Sequence, residues 1–216
     1  MLNRNKLNKG GFLITFEGID GSGKSTQIKK LQNLFKKKKI KNIYFTREPG
    51  GSEFGNKVRK LLLNDSNINF TNESQILLLL ASRFEHYNRF ILPIIKENGI
   101  VISDRFQDST YAYQCGNNKK LYDILKYLNY SLFRNFEPKL TILLDINPKL
   151  AVQRINKRNK KNLFDKKTLS FYKTVRKNYL KLAREKKRIK VFDASLNKDL
   201  LFDNINKIIT KEIDKR

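Results

Sequence analysis

The chain has 216 residues, and 39% of them are hydrophobic, which is enough to bury the core of one large domain or two small ones. Its 46 Lys and Arg residues outnumber the 20 Asp and Glu residues and give a net charge of +26. No apolar run reaches the roughly 18 residues of a membrane span, and the single Cys115 excludes an internal disulfide and a cysteine metal site. We therefore expect a cytoplasmic protein that is not inserted in a membrane.

The domain organisation follows from composition along the chain. Residues 1–10 are polar and basic and lack the apolar core of a secretory signal, so they predict a disordered lead-in. Residues 11–216 contain no repeat and no linker rich in Pro, Gly or Ser, which predicts a single domain. A basic segment at about 154–167 predicts either a solvated loop or a mobile lid over phosphates.

Apolar runs alternate with segments of helical period, which predicts an α/β fold with a parallel sheet. The apolar runs predict five buried strands, at Phe12–Glu17, Ile43–Arg47, Ile100–Asp104, Leu140–Asp145 and Ile189–Asp193. The segments between them predict helices, at Ser25–Lys39, Glu53–Asn64, Asn72–Ile95, Leu121–Phe133, Pro148–Asn156, Thr168–Glu185 and Asp199–Ile213. Thr71 or Asn72 is the expected N-cap of the third helix, and Pro93 is expected to kink or close it.

The first strand runs directly into Gly18-Ile-Asp-Gly-Ser-Gly-Lys-Ser25, which has the G-x-x-x-x-G-K-S pattern of a phosphate-binding loop between a strand and a helix. Backbone N–H groups of such a loop cradle phosphates, Lys24 adds a positive charge, and the Ser25 hydroxyl can bind Mg²⁺. A glycine-rich turn with an exposed lysine is the simpler alternative. The predicted ATP contacts in this region are Gly18, Ile19, Asp20, Gly21, Ser22, Gly23, Lys24, Ser25 and Thr26.

Charged residues end the second and third predicted strands. Arg47 ends the second strand, and Asp104 followed by Arg105 ends the third. The carboxyl ends of parallel strands meet at one edge of a sheet, so these side chains should face the phosphate-binding loop. Asp104 is a candidate for holding Mg²⁺, and the two arginines are candidates for binding phosphoryl groups.

Several segments together resemble bacterial thymidylate kinases, and the resemblance runs from about Phe12 to the last helix. It rests on Phe16-Glu-Gly-Ile-Asp-Gly-Ser-Gly-Lys-Ser25, Phe45-Thr-Arg-Glu-Pro-Gly-Gly51, Ala81-Ser-Arg83, Asp104-Arg-Phe106 and Asp108-Ser-Thr-Tyr-Ala-Tyr-Gln114. The resemblance implies transfer of the ATP γ-phosphoryl group to dTMP with Mg²⁺, a step of dTTP synthesis. It also implies a three-layer P-loop kinase fold with strand order 2-3-1-4-5, and a homodimer.

The resemblance also implies roles for individual residues. Lys24 is expected to bind the ATP phosphates, Ser25 and Asp104 to hold Mg²⁺, and Asp20 to bond the dTMP 3′-hydroxyl. The other acceptor-side residues that it implies are Arg47 and Arg105 at the acceptor phosphate and transition state, Arg83 at the thymine carbonyl, Thr110 and Gln114 beside the base, Tyr113 beneath the sugar, and Glu48 and Leu79 as further substrate contacts.

Gly21 matches the bacterial branch of the family, in which an arginine comes from the lid, with Arg154 as an ATP contact and Arg158 as a catalytic candidate. The chain departs from the family pattern at several other places. The usual lid motif D-R-x-E is absent at 162–165. Leu79 replaces a thymine-stacking phenylalanine, and Cys115 replaces a common glycine.

Three alternative functions fit parts of the sequence. A kinase for another deoxynucleoside or nucleotide would share the loop, but the resemblance of residues 108–114 argues against it. A GTPase switch would need an N-K-x-D motif, which the chain lacks. A basic nucleic-acid-binding protein with a decayed ATP site would use the +26 charge, but the lysines are spread with Asn and Ile as AT-rich codons produce, so we predict no specific nucleic-acid partner. His86, the only histidine, is predicted to be a helix residue without a catalytic role.

Overall fold

A five-stranded parallel sheet forms the centre of the protein, with its strands in the order β2-β3-β1-β4-β5. The computed structural model describes residues 10–64, 68–157 and 167–215. The strands are β1 (Phe12–Glu17), β2 (Ile43–Arg47), β3 (Ile100–Asp104), β4 (Leu140–Asp145) and β5 (Ile189–Asp193). Both the predicted strand bounds and the predicted strand order are confirmed.

Both faces of the sheet are covered. Consecutive residues of β1 point to opposite faces, and Leu13 and Ile14 are both buried, in two different apolar clusters. A strand that is buried on both faces reads as a continuous apolar run, which is why the sequence of β1 shows no alternation.

The strand register brings the charged strand ends together. Phe16 of β1 pairs with Asp104 of β3, and Arg47 of β2 pairs with the same residue from the other side. The carboxyl ends of β1, β2 and β3 therefore form one edge, from which the loops that carry the candidate site project.

Nine helices are present in the described ranges. They are α1 (Lys24–Lys37), α2 (Glu53–Asn64), α3 (Asn72–His86), α4 (Leu92–Lys96), α5 (Gln107–Thr110), α6 (Lys119–Phe133), α7 (Pro148–Asn156), α8 (Leu169–Glu185) and α9 (Lys198–Asp214). The hydroxyl of Thr71 accepts a hydrogen bond from the Ser74 N–H at 3.2 Å, which confirms Thr71 as the N-cap of α3.

The structure contains two π-helical turns that the sequence did not predict. The predicted helix Asn72–Ile95 consists of α3, a π-helical turn at Tyr87–Ile91, and α4, with Pro93 in the first turn of α4. Proline is tolerated there because the first N–H groups of a helix have no partner within it. Helix α5 and a second π-helical turn at Tyr111–Cys115 were not predicted, since this short polar and aromatic segment lacks a helical period.

Two sequence expectations lie wholly or mainly outside the described residues. The lead-in at residues 1–10 has only its last residue within them, and the lid at about 154–167 has only its two ends. Within the described ranges, no helix combines the length and the apolar character that crossing a membrane requires.

Candidate active site

The loop between β1 and α1 has the backbone conformation of a phosphate-binding cradle. Gly18 and Gly21 have positive φ angles of 138° and 81°, which residues with a side chain rarely adopt. A Cβ atom at Gly21 would lie 2.5 Å from the carbonyl oxygen of Ala151, and one at Gly18 would lie 2.5 Å from that of Leu144. Both positions therefore require glycine, and an arginine in place of Gly21 would displace α7.

The remaining loop residues line the same turn. Ile19 and Ser22 are buried, and the Ser22 hydroxyl has no hydrogen-bond partner among the described residues. Gly23 precedes α1 with a φ of 95°, and Ser25 and Thr26 lie exposed in the first turn of that helix. The positive end of the α1 dipole therefore faces the loop, as an anion site requires.

Lys24 is held inside the loop. Its Nζ donates hydrogen bonds to the carbonyl oxygens of Gly18 and Ile19, both at 3.0 Å, and the side chain is buried. Burial and the nearby Arg105 charge lower the pKa of Lys24 to about 8. An anionic phosphate beside Nζ would favour its charged form, so the site is electrostatically prepared for such a ligand.

Ser25 and Asp104 form the candidate magnesium position. The Ser25 hydroxyl donates to Oδ2 of Asp104 at 3.2 Å, while Oδ1 of Asp104 is buried and has no partner among the described residues. No group of three acidic, histidine or cysteine side chains suited to a metal occurs in the described ranges. A pair of oxygen ligands with one unused carboxylate oxygen fits Mg²⁺, which keeps water and takes substrate phosphate oxygens as its other ligands.

Arg105 occupies the centre of the site in a strained backbone conformation, with a φ of 72°. Its side chain lies under the phosphate-binding loop and donates to the carbonyl oxygen of Gly18 at 3.0 Å. Its other partners are Oδ1 of Asp20 at 2.6 Å, Ser109 Oγ at 3.0 Å, and the hydroxyls of Tyr113 and Tyr179 at 3.1 Å. These bonds fix the guanidinium between the loop and α8.

Asp20 links the loop to Tyr113. The Tyr113 hydroxyl donates to Oδ2 of Asp20 and accepts from the Asp20 backbone N–H, each at 3.1 Å. Burial opposes ionisation of Asp20, but the charges of Arg105 and Lys24 outweigh it and lower the pKa of the carboxyl group. Asp20 is therefore an ionised acceptor at the boundary between the loop and the neighbouring pocket.

Glu17, the last residue of β1, is a buried carboxyl group that the sequence analysis did not select. It accepts hydrogen bonds from the Phe106 N–H at 2.8 Å, the Ser109 hydroxyl at 2.6 Å and the Tyr179 hydroxyl at 2.9 Å. Burial, reinforced by the charge of Asp108, raises the pKa of Glu17 to about 7. Its hydroxyl partners also contact Arg105, so Glu17 lies directly behind the arginine.

A pocket of about 110 Å³ opens beside the loop. Nearly all of the predicted substrate contacts line it, namely Asp20, Glu48, Leu79, Arg83, Arg105, Thr110, Tyr113 and Gln114. Arg47 is the exception, because its side chain lies exposed at the end of β2. Residues from the segments after β1, β2 and β3 and from α3 and α5 thus converge on one cavity, as the resemblance implied.

Arg83 places an unused donor at this pocket. Its Nε donates to Glu48 Oε2 at 2.7 Å and its Nη2 to Thr110 Oγ1 at 2.9 Å, and the guanidinium lies 5.2 Å from the ring centre of Phe106. Its Nη1 is buried without a partner in the described parts of the chain. A buried N–H without an acceptor is costly, so this atom marks where a ligand oxygen fits.

Comparison with known proteins agrees with this geometry. Residues 16–205 match the sequence model of thymidylate kinase. The chain belongs to the thymidylate kinase family. It is 39% identical over 186 residues to the thymidylate kinase of Ruthia magnifica subsp. Calyptogena magnifica, covering 86% of this chain and 90% of that one. It is 38% identical over 203 residues to that of Ligilactobacillus salivarius, with 92% and 97% covered.

A solved structure shares the fold. The crystal structure of thymidylate kinase from Ehrlichia chaffeensis superposes with a TM-score of 0.71 at 30% identity, covering 93% of this chain and 99% of that one. The three-layer P-loop kinase fold expected from the sequence is therefore confirmed.

One basic residue of this site was not predicted from the sequence. Arg59 of α2 lines the pocket, and its Nη1 donates to the carbonyl oxygen of Pro49 at 3.0 Å. Burial and the charges of Arg47 and Arg105 lower the pKa of Arg59. We call Arg47, Arg59 and Arg105 the positive cluster. In the sequence, Arg59 is indicated only by its position on the helix that follows the Pro-Gly-Gly turn.

The two lid candidates have different outcomes. Arg154 of α7 directs Nη1 and Nη2 to the carbonyl oxygen of Ala194, both at 3.2 Å, at the loop after β5. Arg158 lies outside the described residues. The assignment of these arginines to ATP therefore stays a prediction.

Proposed function

We propose that this protein transfers the γ-phosphoryl group of ATP to dTMP, which yields ADP and dTDP, through the residues described above. The observation that carries the proposal is the junction at Asp20 between a phosphate-binding loop and a pocket that contains the unpaired Nη1 of Arg83. One side fits the donor phosphates, and the other fits a nucleoside monophosphate with a base carbonyl.

The donor phosphates bind in the loop, with Lys24 moving from its carbonyl partners to the β- and γ-phosphates. The buried position of Lys24 supports this role, because its charge interacts strongly with an anion in a poorly solvated site. Ser25 and Asp104 hold Mg²⁺, which when bound neutralises charge on the phosphates.

The acceptor phosphate binds in the positive cluster of Arg47, Arg59 and Arg105. Arg105 is rigid because its donors are engaged on several sides, so it stabilises the transferring group without reorganising. A phosphate acceptor is already ionised, and the step therefore requires positioning rather than a general base.

The sugar of dTMP lies against Asp20 and Tyr113. The ionised Asp20 accepts a hydrogen bond from the 3′-hydroxyl, and the ring of Tyr113 closes the space beneath the sugar that a 2′-hydroxyl would occupy. The hydrogen bonds between these two residues support the assignment, since they hold the acid at the pocket side of the loop.

The base lies between Leu79 and the end of α5. Arg83 Nη1 donates to a thymine carbonyl, and Thr110 and Gln114 line the side of the base. Gln114 is buried and held by Gln75, to which its Nε2 donates at 3.1 Å. A cytosine amino group in the same place would put a second hydrogen-bond donor against Arg83 Nη1, so dCMP should be a poor acceptor.

We also propose a homodimer formed through α3 and α6, which pack against each other. Leu77 and Phe84 on α3 and Tyr127 and Tyr130 on α6 are 60%, 38%, 69% and 60% exposed, respectively. Apolar side chains grouped in this way are typical of an interface. Leu77→Glu should produce monomers in light scattering, whereas Leu200→Glu, at a 52% exposed apolar position on α9, should leave the mass unchanged.

The same proposal covers location and partners. Residues 11–216 act as one domain in the cytoplasm, where the buried free Cys115 stays reduced. Arg154 and Arg158 complete the ATP side from the lid. The +26 charge attracts anionic nucleotides without a specific nucleic-acid partner.

The test is ADP formation from ATP and Mg²⁺ with dTMP, dUMP, dCMP, dGMP and thymidine supplied separately. We expect rapid turnover with dTMP, weaker turnover with dUMP, and little with the other acceptors. Preference for a different acceptor would refute the pocket assignment. Inactivity with all five would refute the proposed reaction.

A further inference from the structure

A series of hydrogen-bonded polar side chains leads from the half-buried Thr46 of β2 to the base pocket. The Thr46 hydroxyl lies 2.8 Å from His86 Nε2, His86 Nδ1 lies 3.0 Å from Glu48 Oε1, and Glu48 Oε2 accepts from Arg83 Nε at 2.7 Å. His86 is 0% exposed, and Glu48 and Arg83 are also buried. The only histidine of the chain therefore lies directly behind the base-facing arginine rather than on a helix surface.

The chemistry of these groups fixes the direction of the hydrogen bonds. A carboxylate paired with a guanidinium only accepts, so Glu48 Oε1 requires a donor, and His86 Nδ1–H is the one that faces it. With the proton on Nδ1, Nε2 accepts from the Thr46 hydroxyl. Both carboxylate oxygens of Glu48 are then occupied, and the carboxylate has one orientation.

Packing also fixes the imidazole ring. A Cβ atom at Gly51 would lie 2.2 Å from His86 Nε2, so the glycine turn packs directly against the ring. Phe90 stacks on the ring with centroids 5.6 Å apart and planes 21° apart. A ring confined in this way cannot rotate to release Glu48 without moving the turn after β2.

We propose that His86 is a positioning residue for the acceptor base: it orients Glu48, which holds Arg83 with Nη1 directed at the pocket. This inference rests on the proposed function, because it assumes that Arg83 binds the base of the acceptor. Without the His86 donor, Oε1 of Glu48 is a buried acceptor with no partner, and the carboxylate turns away from Arg83 Nε. Base affinity then falls, while the ATP side is unaffected.

Two nearly isosteric substitutions separate this role from a merely structural one. In His86→Asn the amide nitrogen can occupy the position of Nδ1 and still donate to Glu48. In His86→Gln the amide reaches the position of Nε2, and the donor to Glu48 is lost. Both variants lose the ring contacts with Gly51 and Phe90, so a general packing defect would affect them equally.

For His86→Gln we expect the KM for dTMP to rise roughly ten-fold or more, with kcat within about three-fold of wild type and an unchanged KM for ATP. For His86→Asn we expect a KM for dTMP within about three-fold of wild type. The ratio of kcat/KM for dTMP to that for dCMP should fall in His86→Gln only. Equal effects of the two substitutions, or a loss shared with the KM for ATP, would overturn the proposal.

A second pair of variants, at Thr46, tests the same series of hydrogen bonds from its other end and leaves the imidazole ring of His86 unchanged. Thr46→Val removes the hydroxyl that orients Nε2 and should raise the KM for dTMP by a few-fold, whereas Thr46→Ser keeps the hydroxyl and should not. An unchanged KM in Thr46→Val together with an unchanged KM in His86→Gln would reject the inference. A wild-type enzyme that fails to phosphorylate dTMP would instead reject the proposed function, so the two failures are distinguishable.

Discussion

The phosphate-binding loop takes its geometry from consecutive residues, 18–25, whereas the acceptor pocket draws its side chains from the segments that follow β1, β2 and β3 and from α2, α3 and α5. The loop is a backbone structure, because glycines with positive φ angles direct its N–H groups inward. The pocket is a side-chain structure, held by the ion pairs Arg83–Glu48 and Arg105–Asp20. Each ion pair joins segments that are far apart in sequence.

This difference predicts different responses to mutation. Removing the charge of Lys24 from the loop breaks no ion pair, because Lys24 donates only to carbonyl oxygens there and Asp20 keeps Arg105 as its partner. Removing one member of a buried ion pair leaves the other uncompensated, which typically destabilises a protein by about 3–5 kcal/mol. Donor-side substitutions should therefore reduce turnover alone, whereas acceptor-side substitutions should also reduce stability.

The largest effect is expected for Lys24→Ala. Loss of the charge at the transferring phosphates should lower kcat by roughly 10²–10³-fold, as measured by the ADP-coupled assay. The melting temperature should stay at or above that of the wild type, because burial lowers the pKa of Lys24 and the charged form is therefore disfavoured in the fold.

Lys29→Ala is the matched control, since Lys29 lies exposed on the same helix. It should change neither kcat nor the melting temperature. A large fall in the melting temperature of Lys24→Ala would contradict the distinction between the loop and the pocket.

The same difference between local and distant residues determines how much of the fold and the site the sequence alone predicts. The five strands and the loop could be predicted because their signals are local: apolar runs, and glycines at fixed spacing. Glu17 and Tyr179 could not, because they are 162 positions apart and their hydrogen bond exists only once β1 and α8 are packed. His86 looked like an ordinary helix residue for the same reason, since its partners come from β2.

The second-largest effect is expected for Glu17, which lies between the phosphate-binding loop and the acceptor pocket. The folded-state pKa of Glu17, about 7, lies above its ordinary value of 4.5 because of burial and the Asp108 charge. Between these two values the folded chain keeps a proton that the unfolded chain has lost, so this group makes stability fall as pH rises from about 4.5 to 7. Above that range both states are ionised and the penalty is constant.

Glu17→Gln removes this titration. Its unfolding free energy relative to wild type should increase between pH 5 and 7 by on the order of 3 kcal/mol and stay level above about pH 8, as measured by urea unfolding. A difference between the two proteins that does not vary with pH would show that Glu17 titrates normally in the fold.

The smallest expected effect concerns the one pocket residue that departs from the family pattern. Leu79 gives the thymine an apolar contact without an aromatic face, and an aromatic ring at this place adds about 0.5–1.5 kcal/mol through stacking. Leu79→Phe should therefore tighten dTMP binding by about two- to ten-fold in calorimetry, with little change in ATP binding.

Leu200→Phe serves as its control, because Leu200 on α9 is 52% exposed and lies outside both the pocket and the proposed dimer interface. It should leave dTMP affinity unchanged. Weaker dTMP binding in Leu79→Phe would mean that the larger side chain repacks against Leu62 and Leu63, which also line the cavity. The acceptor pocket would then depend on distant segments even for an apolar contact. Tighter binding would instead show that this wall of the pocket accepts a single substitution as readily as the phosphate-binding loop does.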